Sequence, residues 1–231
     1  MSIPHGDVLP ADAAPADAVA SSGFRDPGTL TRLLKLFLYL SIALGALSFV
    51  SALLVLSFSI GMLALSEIAG NELGQQIIAG LRGVISLVIF VLFCMWTYRA
   101  NYNARQLGAP DMQFSPGWSV GWYFIPIANF WKPYQAMREI WQASANPAHW
   151  QQQPRGSILP VWWTLLLLSN VISAAALRLS LKAQTEPDIL LAWIVSAAND
   201  AVGILSDTTA LVLVMQIFRI QMARRAADAF A

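Results

Sequence analysis

The hydrophobic positions of this chain fall into four long blocks, not into the alternation of a strand or the narrow stripe of a surface helix. Leu36 to Ser66 contains no charge and begins just after Arg32 and Lys35. Ile77 to Trp96 is interrupted only by Arg82. Gly156 to Leu177 is uncharged between Arg155 and Arg178, and Ile189 to Phe218 is apolar except for Asp200 and Asp207. A membrane-spanning helix needs roughly 20 apolar residues. The blocks therefore predict spans at about 36–58, 77–98, 158–180 and 190–218. The last block exceeds one crossing, so its helix must tilt or protrude.

Met112 to Trp131 is also uncharged, yet its pattern argues against a fifth span. Ser115-Pro116 reads as an N-cap followed by a first-turn proline. Pro126 is expected to stop the helix after about three turns, and Gly117 and Gly121 weaken what precedes it. Charge placement agrees. With four spans and the N-terminus in the cytoplasm, Arg25, Arg32, Lys35, Arg99, Arg105, Lys132, Arg138, Arg155, Arg219, Arg224 and Arg225 lie inside. Only Lys182, Arg82 and Arg178 lie at or near the outside, and the first outer loop carries Glu67 and Glu72. That is the positive-inside pattern, and a fifth crossing would destroy it. All the tryptophans except Trp193 then fall near the cytoplasmic boundary, where an interfacial belt is expected. The expected architecture is an all-α membrane protein with four transmembrane helices and a Trp/Pro-rich re-entrant or interfacial helical segment.

Composition fits this picture. Of 231 residues, 57% are hydrophobic and 12% charged, about half the charge of an ordinary soluble domain; mean hydropathy is +0.56. The net charge of +1 says nothing about nucleic acid, but there is no basic tract or DNA-binding pattern, so no nucleic-acid partner is expected. Cys94, His5 and His149 are too few for a conventional zinc site, and no metal or cofactor is expected. Residues 1–28, with Pro4, Pro10, Pro15 and Pro27 and no apolar period, read as a disordered tail and not as a signal peptide. Residues 29–225 form one domain with a cytoplasmic loop at 99–157, and 226–231 form a short tail.

The loop contains a distinctive run: Trp96, Arg99, Asn103, Leu107-Gly108, then Ser115-Pro116-Gly117-Trp118. It continues through Gly121-Trp122-Tyr123-Phe124-Ile125-Pro126-Ile127-Ala128-Asn129 and Trp131-Lys132-Pro133-Tyr134-Gln135-Ala136-Met137. This closely resembles a bacterial membrane family known as domain of unknown function 4328, from about the second span to the last. The resemblance implies a multi-pass bacterial membrane protein and no known activity.

Within the loop, Trp118, Trp122 and Ile125 share a helix face, with Gly117 and Gly121 placed to admit another backbone. Pro133 opens a second, amphipathic helix. Its apolar stripe is Ala136, Met137, Ile140 and Trp141; Gln135, Arg138, Glu139 and Gln142 are expected to face away, as on a membrane surface. Asn129, between Pro126 and Pro133, is placed to cap that helix or to satisfy freed carbonyls. Two readings follow for the loop. One is a lipid-headgroup or substrate site using Arg99, Asn103, Trp118, Trp122, Pro126, Asn129, Lys132 and Pro133. The other, favoured by the ordinary anchoring role of such residues, is a belt that seals the bundle.

The sharpest single signals are Asp200 and Asp207. A carboxylate in hydrocarbon costs roughly 2.5–3.5 kcal/mol on insertion scales, so both should face the bundle interior. Ser196, Asp200, Gly203, Asp207 and Ala210 form one small, polar stripe, matched in the first span by Ser41, Gly45, Ser48 and Ala52. An Arg82–Asp200 ion pair is expected, with Thr208, Thr209 and Asn170 as candidate partners of Asp207. The functional expectations are, in order, a non-enzymatic scaffold or interaction subunit, a small transporter or proton/cation-conducting oligomer using the two aspartates, and a membrane-embedded lipid-acting enzyme. No HExxH, Walker A or GxGxxG motif supports the last. The expected location is the bacterial cytoplasmic membrane, both termini inside. Membrane lipids are the expected surroundings, with a second copy or another membrane protein as partner.

Overall fold

A computed structural model describes residues 23–60 and 72–228. Among them no strand occurs. The helices are α1 (Gly28–Ile60), α2 (Glu72–Gln106), α3 (Pro116–Gly121), α4 (Lys132–Ala145), α5 (Ile158–Lys182) and α6 (Glu186–Asp228). Short 3-10 turns lie at Trp122–Phe124, Ala128–Phe130 and Pro147–Gln152. Four helices, α1, α2, α5 and α6, are long and apolar enough to cross a membrane. Their outer faces expose Leu47, Leu87, Leu177 and Leu191, side chains that a water-soluble bundle would turn inward. Most of the expected N-terminal tail, the outer-loop Glu67 and the last three residues lie outside the described residues.

Helix α6 is the spine. It packs extensively against α5 on one side and α1 on the other, and α2 joins chiefly through α1. The α1–α6 seam uses the small stripes: Gly45 lies against Ile204, where an added Cβ would come within 3.2 Å of the side chain, and Ala52 is buried. Helices α2 and α5 scarcely meet. The bundle is therefore a curled row with an opening between α2 and α5.

Both described chain ends meet at the end that carries the 107–157 connection, called the loop end below. The Arg25 backbone exchanges two hydrogen bonds with the Asn103 side chain at 3.0 and 2.8 Å, Arg225 lies over the Phe24 ring, and Arg224 donates to the Ala145 carbonyl. Helix α6 spans 43 residues, roughly 65 Å at the helical rise, so its excess length protrudes at this end, where Ile217 and Gln221 are buried. Helix α2 likewise runs on to Gln106, so the connection expected from residue 99 begins with two further helical turns.

Several local expectations are corrected here. Helix α3 stops at Gly121, well before Pro126, and the chain tightens into a 3-10 turn. Pro126 acts on its predecessor: Ile125 is extended at φ −99° and ψ 110°, as a pre-proline residue must be. Ser115 does cap α3, accepting from the Trp118 N–H at 3.3 Å. Gly117 admits no backbone, and Gly121 faces only the Trp118 ring. In α4, Ala136, Met137 and Ile140 are fully buried by protein, yet Glu139 and Gln142 are buried too. The helix packs against α2, α3 and α6, so Glu139 and Gln142 are covered while Gln135 and Arg138 stay half-buried. Asn129 does not cap it; Trp131 occupies that position without a side-chain hydrogen bond. Nor do the tryptophans form a simple belt. Trp96 is 2% exposed and donates to Thr31 Oγ1 at 3.1 Å, Trp150 donates to the Pro110 carbonyl, and Trp163 to the Phe130 carbonyl. These rings are core, while Trp118 and Trp131 remain exposed.

Candidate functional site

The opening between α2 and α5 leads into a cavity of about 860 Å³ floored by α6. Among the described residues its charged lining consists of Arg82, Asp200 and Asp207. Helical spacing explains their convergence: Asp200 and Asp207 are two turns apart on the same face of α6, and Arg82 reaches that face from α2. Arg82 Nη2 stands 2.6 Å from Asp200 Oδ1, and Nη1 donates to Ser48 Oγ at 3.0 Å. Asp200 is 3% exposed, whereas the Arg82 side chain is 32% exposed. The pair is thus buried on the α6 side and open on the α2 side.

Asp207 accepts from Ser41 Oγ at 2.7 Å. Its expected partners are engaged elsewhere, because each bonds a carbonyl of its own helix: Thr208 to Ile204, Thr209 to Ser206 and Asn170 to Leu166. This is the usual local alternative for such side chains in a helix. Asn170 still lines the cavity, as do Ser173 and Asn199, which are joined by a 2.7 Å hydrogen bond.

Toward the loop end the lining becomes aromatic. Phe90 and Phe93 of α2 meet Tyr123 edge-on at centroid distances of 6.2 and 6.4 Å, and Phe93 lies 5.8 Å from Trp162 of α5. The segment after α3 thus roofs the cavity, touching α2 through Tyr123 and Phe124 and α5 through Phe130. The Tyr123 hydroxyl is buried without a hydrogen-bond partner. Burial, reinforced by nearby Cys94, pushes that phenol well above its ordinary pKa and keeps it neutral. Nothing in the composition singled out Tyr123 or Phe93; their register against α5 depends on the tertiary path of the roof.

The residues expected in the loop site fall into two groups, Arg99 with Asn103 and Trp118 with Trp122 and Lys132. Arg99 donates to the Asp26 carbonyl at 3.0 Å and Asn103 holds Arg25, so both fasten the chain's start to α2. Trp118 and Trp122 lie 4.9 Å apart. Lys132 sits over the Phe114 and Trp122 rings at 5.6 and 5.5 Å. Pro133 is buried in the first turn of α4 and Pro126 is exposed. Of these residues, Asn129 lines the cavity.

The family model described as Domain of unknown function (DUF4328) matches residues 61–219. The chain belongs to the DUF4328 family. No curated protein and no solved structure matches it. The DUF4328 match includes Arg82, Asp200, Asp207 and the aromatic roof. It starts after α1, so Ser41 and Ser48, the hydroxyl partners of Asp207 and Arg82, come from outside the DUF4328 region.

A separate polar network occupies the loop end of this DUF4328 protein. Arg105 donates to Asn101 Oδ1 and to the Met112 and Phe114 carbonyls at 3.2, 2.9 and 3.0 Å. Glu139 accepts from the Phe114 N–H at 3.0 Å. Burial pushes its carboxyl above the ordinary range, against the opposing pull of the Phe114 and Gln113 N–H groups and of Arg105. Gln221 donates to the Ala100 carbonyl and Ser144 Oγ at 2.8 and 2.9 Å. Sequence reasoning missed this network; the i, i+4 spacing of Asn101 and Arg105 was its available signal.

Proposed function

We propose that the protein is a small-solute transporter of the bacterial cytoplasmic membrane, with both termini inside, and that the cavity between α2, α5 and α6 is its binding chamber. The observation that carries this reading is the cavity's contact with Asp200, Asp207 and Arg82. Ionisable groups at membrane depth are retained mainly where they line a pathway or fix a buried pair. Here an arginine a third exposed and a carboxylate held by one serine line open volume, which exceeds what register alone requires. The volume lies within the roughly 300–1,000 Å³ range of small-molecule sites. The orientation rests on the concentration of Lys and Arg at the loop end. The exposed Trp118, Phe124, Ile127 and Trp131 suit a roof segment seated at the headgroup layer.

The scaffold reading keeps one supporting observation. Gly80 and Gly83 on α2 have open space beside them, and Ser173 and Ala174 on α5 are exposed, so a partner helix could fill the opening. An enzymatic reading has less support, since among the described residues the cavity is lined by no histidine, cysteine or lysine.

Cysteine labelling separates the first two. In a Cys94→Ala background, Ser173→Cys should react with a charged, water-soluble thiol reagent, while Leu177→Cys, exposed on the same helix but outside the cavity lining, should not. Protection of Ser173→Cys together with a dimeric mass in detergent would sink the transport reading in favour of a helix-filled opening.

A further inference from the structure

We infer that the cavity's ligand is an organic cation with an apolar, preferably aromatic, body. This rests on reading the cavity as a binding chamber and names what it would take.

Charge is the first observation. With both carboxylates ionised, two aspartates against one arginine leave the lining with a net single negative charge. The charges are also unequally satisfied. Arg82 already neutralises Asp200 across 2.6 Å. Among the described residues, Asp207 receives a hydrogen bond from Ser41 alone. A carboxylate in a low-dielectric site that is held by one neutral hydroxyl either takes up a proton or is kept charged by a cation beside it, so a bound organic cation would stabilise ionised Asp207. An anion would have to displace Asp200 from Arg82 and sit near Asp207.

The second observation is the aromatic lining toward the loop end. Ala210, one turn from Asp207 along α6, packs in the same core cluster as Phe93 and Trp162, so carboxylate and rings bound one chamber. Phe90, Phe93, Tyr123 and Trp162 all line it. Aromatic ring faces attract cations, most strongly when both are desolvated. A carboxylate combined with several rings is the chemistry that recognises an ammonium or phosphonium group carried on an apolar frame. Tyr123 lines the same volume with its ring, while its hydroxyl is buried without a partner among the described residues.

The third observation is access. The opening between α2 and α5 faces the side of the bundle, since those helices scarcely touch and present exposed residues there. A lipophilic cation concentrates in the bilayer and could enter sideways. A strongly hydrated inorganic cation would gain nothing from the rings or from that route.

The test is binding of tetraphenylphosphonium to the purified full chain in detergent, with tetraphenylborate, its near-isostere of opposite charge, as the control. Wild type should bind the phosphonium saturably and the borate at least tenfold more weakly. Asp207→Asn should weaken phosphonium binding at least tenfold, Asp207→Glu should restore part of it, and Phe90→Leu should weaken it several-fold. Equal binding of the two probes, tighter borate binding, or indifference to both Asp207→Asn and Phe90→Leu overturns the inference. Should Asp207→Asn lose its monodisperse profile, the borate comparison and Phe90→Leu decide. If Ser173→Cys labels while the phosphonium fails to bind, the chamber stands and its assigned ligand falls. If labelling also fails, the chamber itself is refuted.

Discussion

Two polar regions of this protein behave in opposite ways. At the loop end, Asn101, Asn103, Glu139, Ser144 and Gln221 are buried and each finds a partner, mostly a backbone group of another segment. Within the spans, Arg82, Asp207, Asn170 and Ser173 border open volume, and Asp207 has one donor. The contrast separates two uses of polarity. Groups whose hydrogen-bonding capacity is consumed by the fold hold the fold together. Groups left with spare capacity beside a cavity are available to something else. The residue types barely differ between the two regions; what differs is the partner, backbone of another segment for most of the residues named at the loop end and open volume within the spans. At the loop end only Thr97, Trp122 and Tyr123 keep a buried side-chain polar atom unpaired among the described residues.

The largest blow to this contrast would come from the loop end. Trp96→Ala removes a ring that is 2% exposed, stacks with Phe93 and donates to Thr31. It should destabilise the protein by about 3–5 kcal/mol, read as a lowered melting temperature in detergent. If Trp96→Ala melts no lower than a cavity-wall variant such as Phe90→Leu, the division into a structural and an available region collapses.

A middle-sized effect concerns the ion pair. Arg82→Met leaves Asp200 buried beside Ser48 without its cation. Breaking a fully buried pair costs roughly 3–5 kcal/mol, and the exposure of Arg82 reduces the expected loss to about 2 kcal/mol. Adding Asp200→Leu should recover most of it. Chemical denaturation of the three variants makes the comparison sharper, because a double variant as unstable as Arg82→Met would mean that the pair itself carries the stability.

The smallest effect is a pH slope. The folded Glu139 carboxyl binds its proton more tightly than the unfolded one. Stability should therefore be greatest below the ordinary glutamate pKa and fall as pH rises from there through the raised folded value. Glu139→Gln keeps an acceptor for the Phe114 N–H and should flatten that slope. An unchanged slope between pH 4 and pH 7 in thermal melts would remove Glu139 as its source.

The spans were legible because hydropathy over some 20 residues is a one-dimensional quantity. The pairing of α1 with α6 was legible for a related reason: Ser41, Gly45 and Ser48 match Asp200, Gly203 and Asp207 in helical spacing, and small or polar faces in hydrocarbon must meet something. The partner of Asp207 was harder to read. Thr208 and Thr209 are its neighbours in sequence, but their hydroxyls return to the carbonyls of their own helix. Helix α4 shows the deeper limit. A helical wheel tells which face is polar, not what covers it, and Glu139 is covered by a backbone N–H 25 residues upstream. The same limit hid the aromatic roof, since Tyr123 meets Phe93 through a chain reversal that no local period encodes.

Helix α6 runs unbroken from Glu186 to Asp228, and this gives the molecule a mechanical character. It is a stiff rod clamped at one end by Gln221 and Arg224 and bearing the two carboxylates further along. From Gln221 to Asp200 the lever arm is ~31 Å at the helical rise, so a rock of ~10° at the clamp would swing Asp200 through ~5 Å. That stroke is about twice the 2.6 Å that now joins Asp200 to Arg82. Because α1 and α5 pack along the same rod, a disturbance felt at the clamp would reach the ion pair by moving those three helices together against α2.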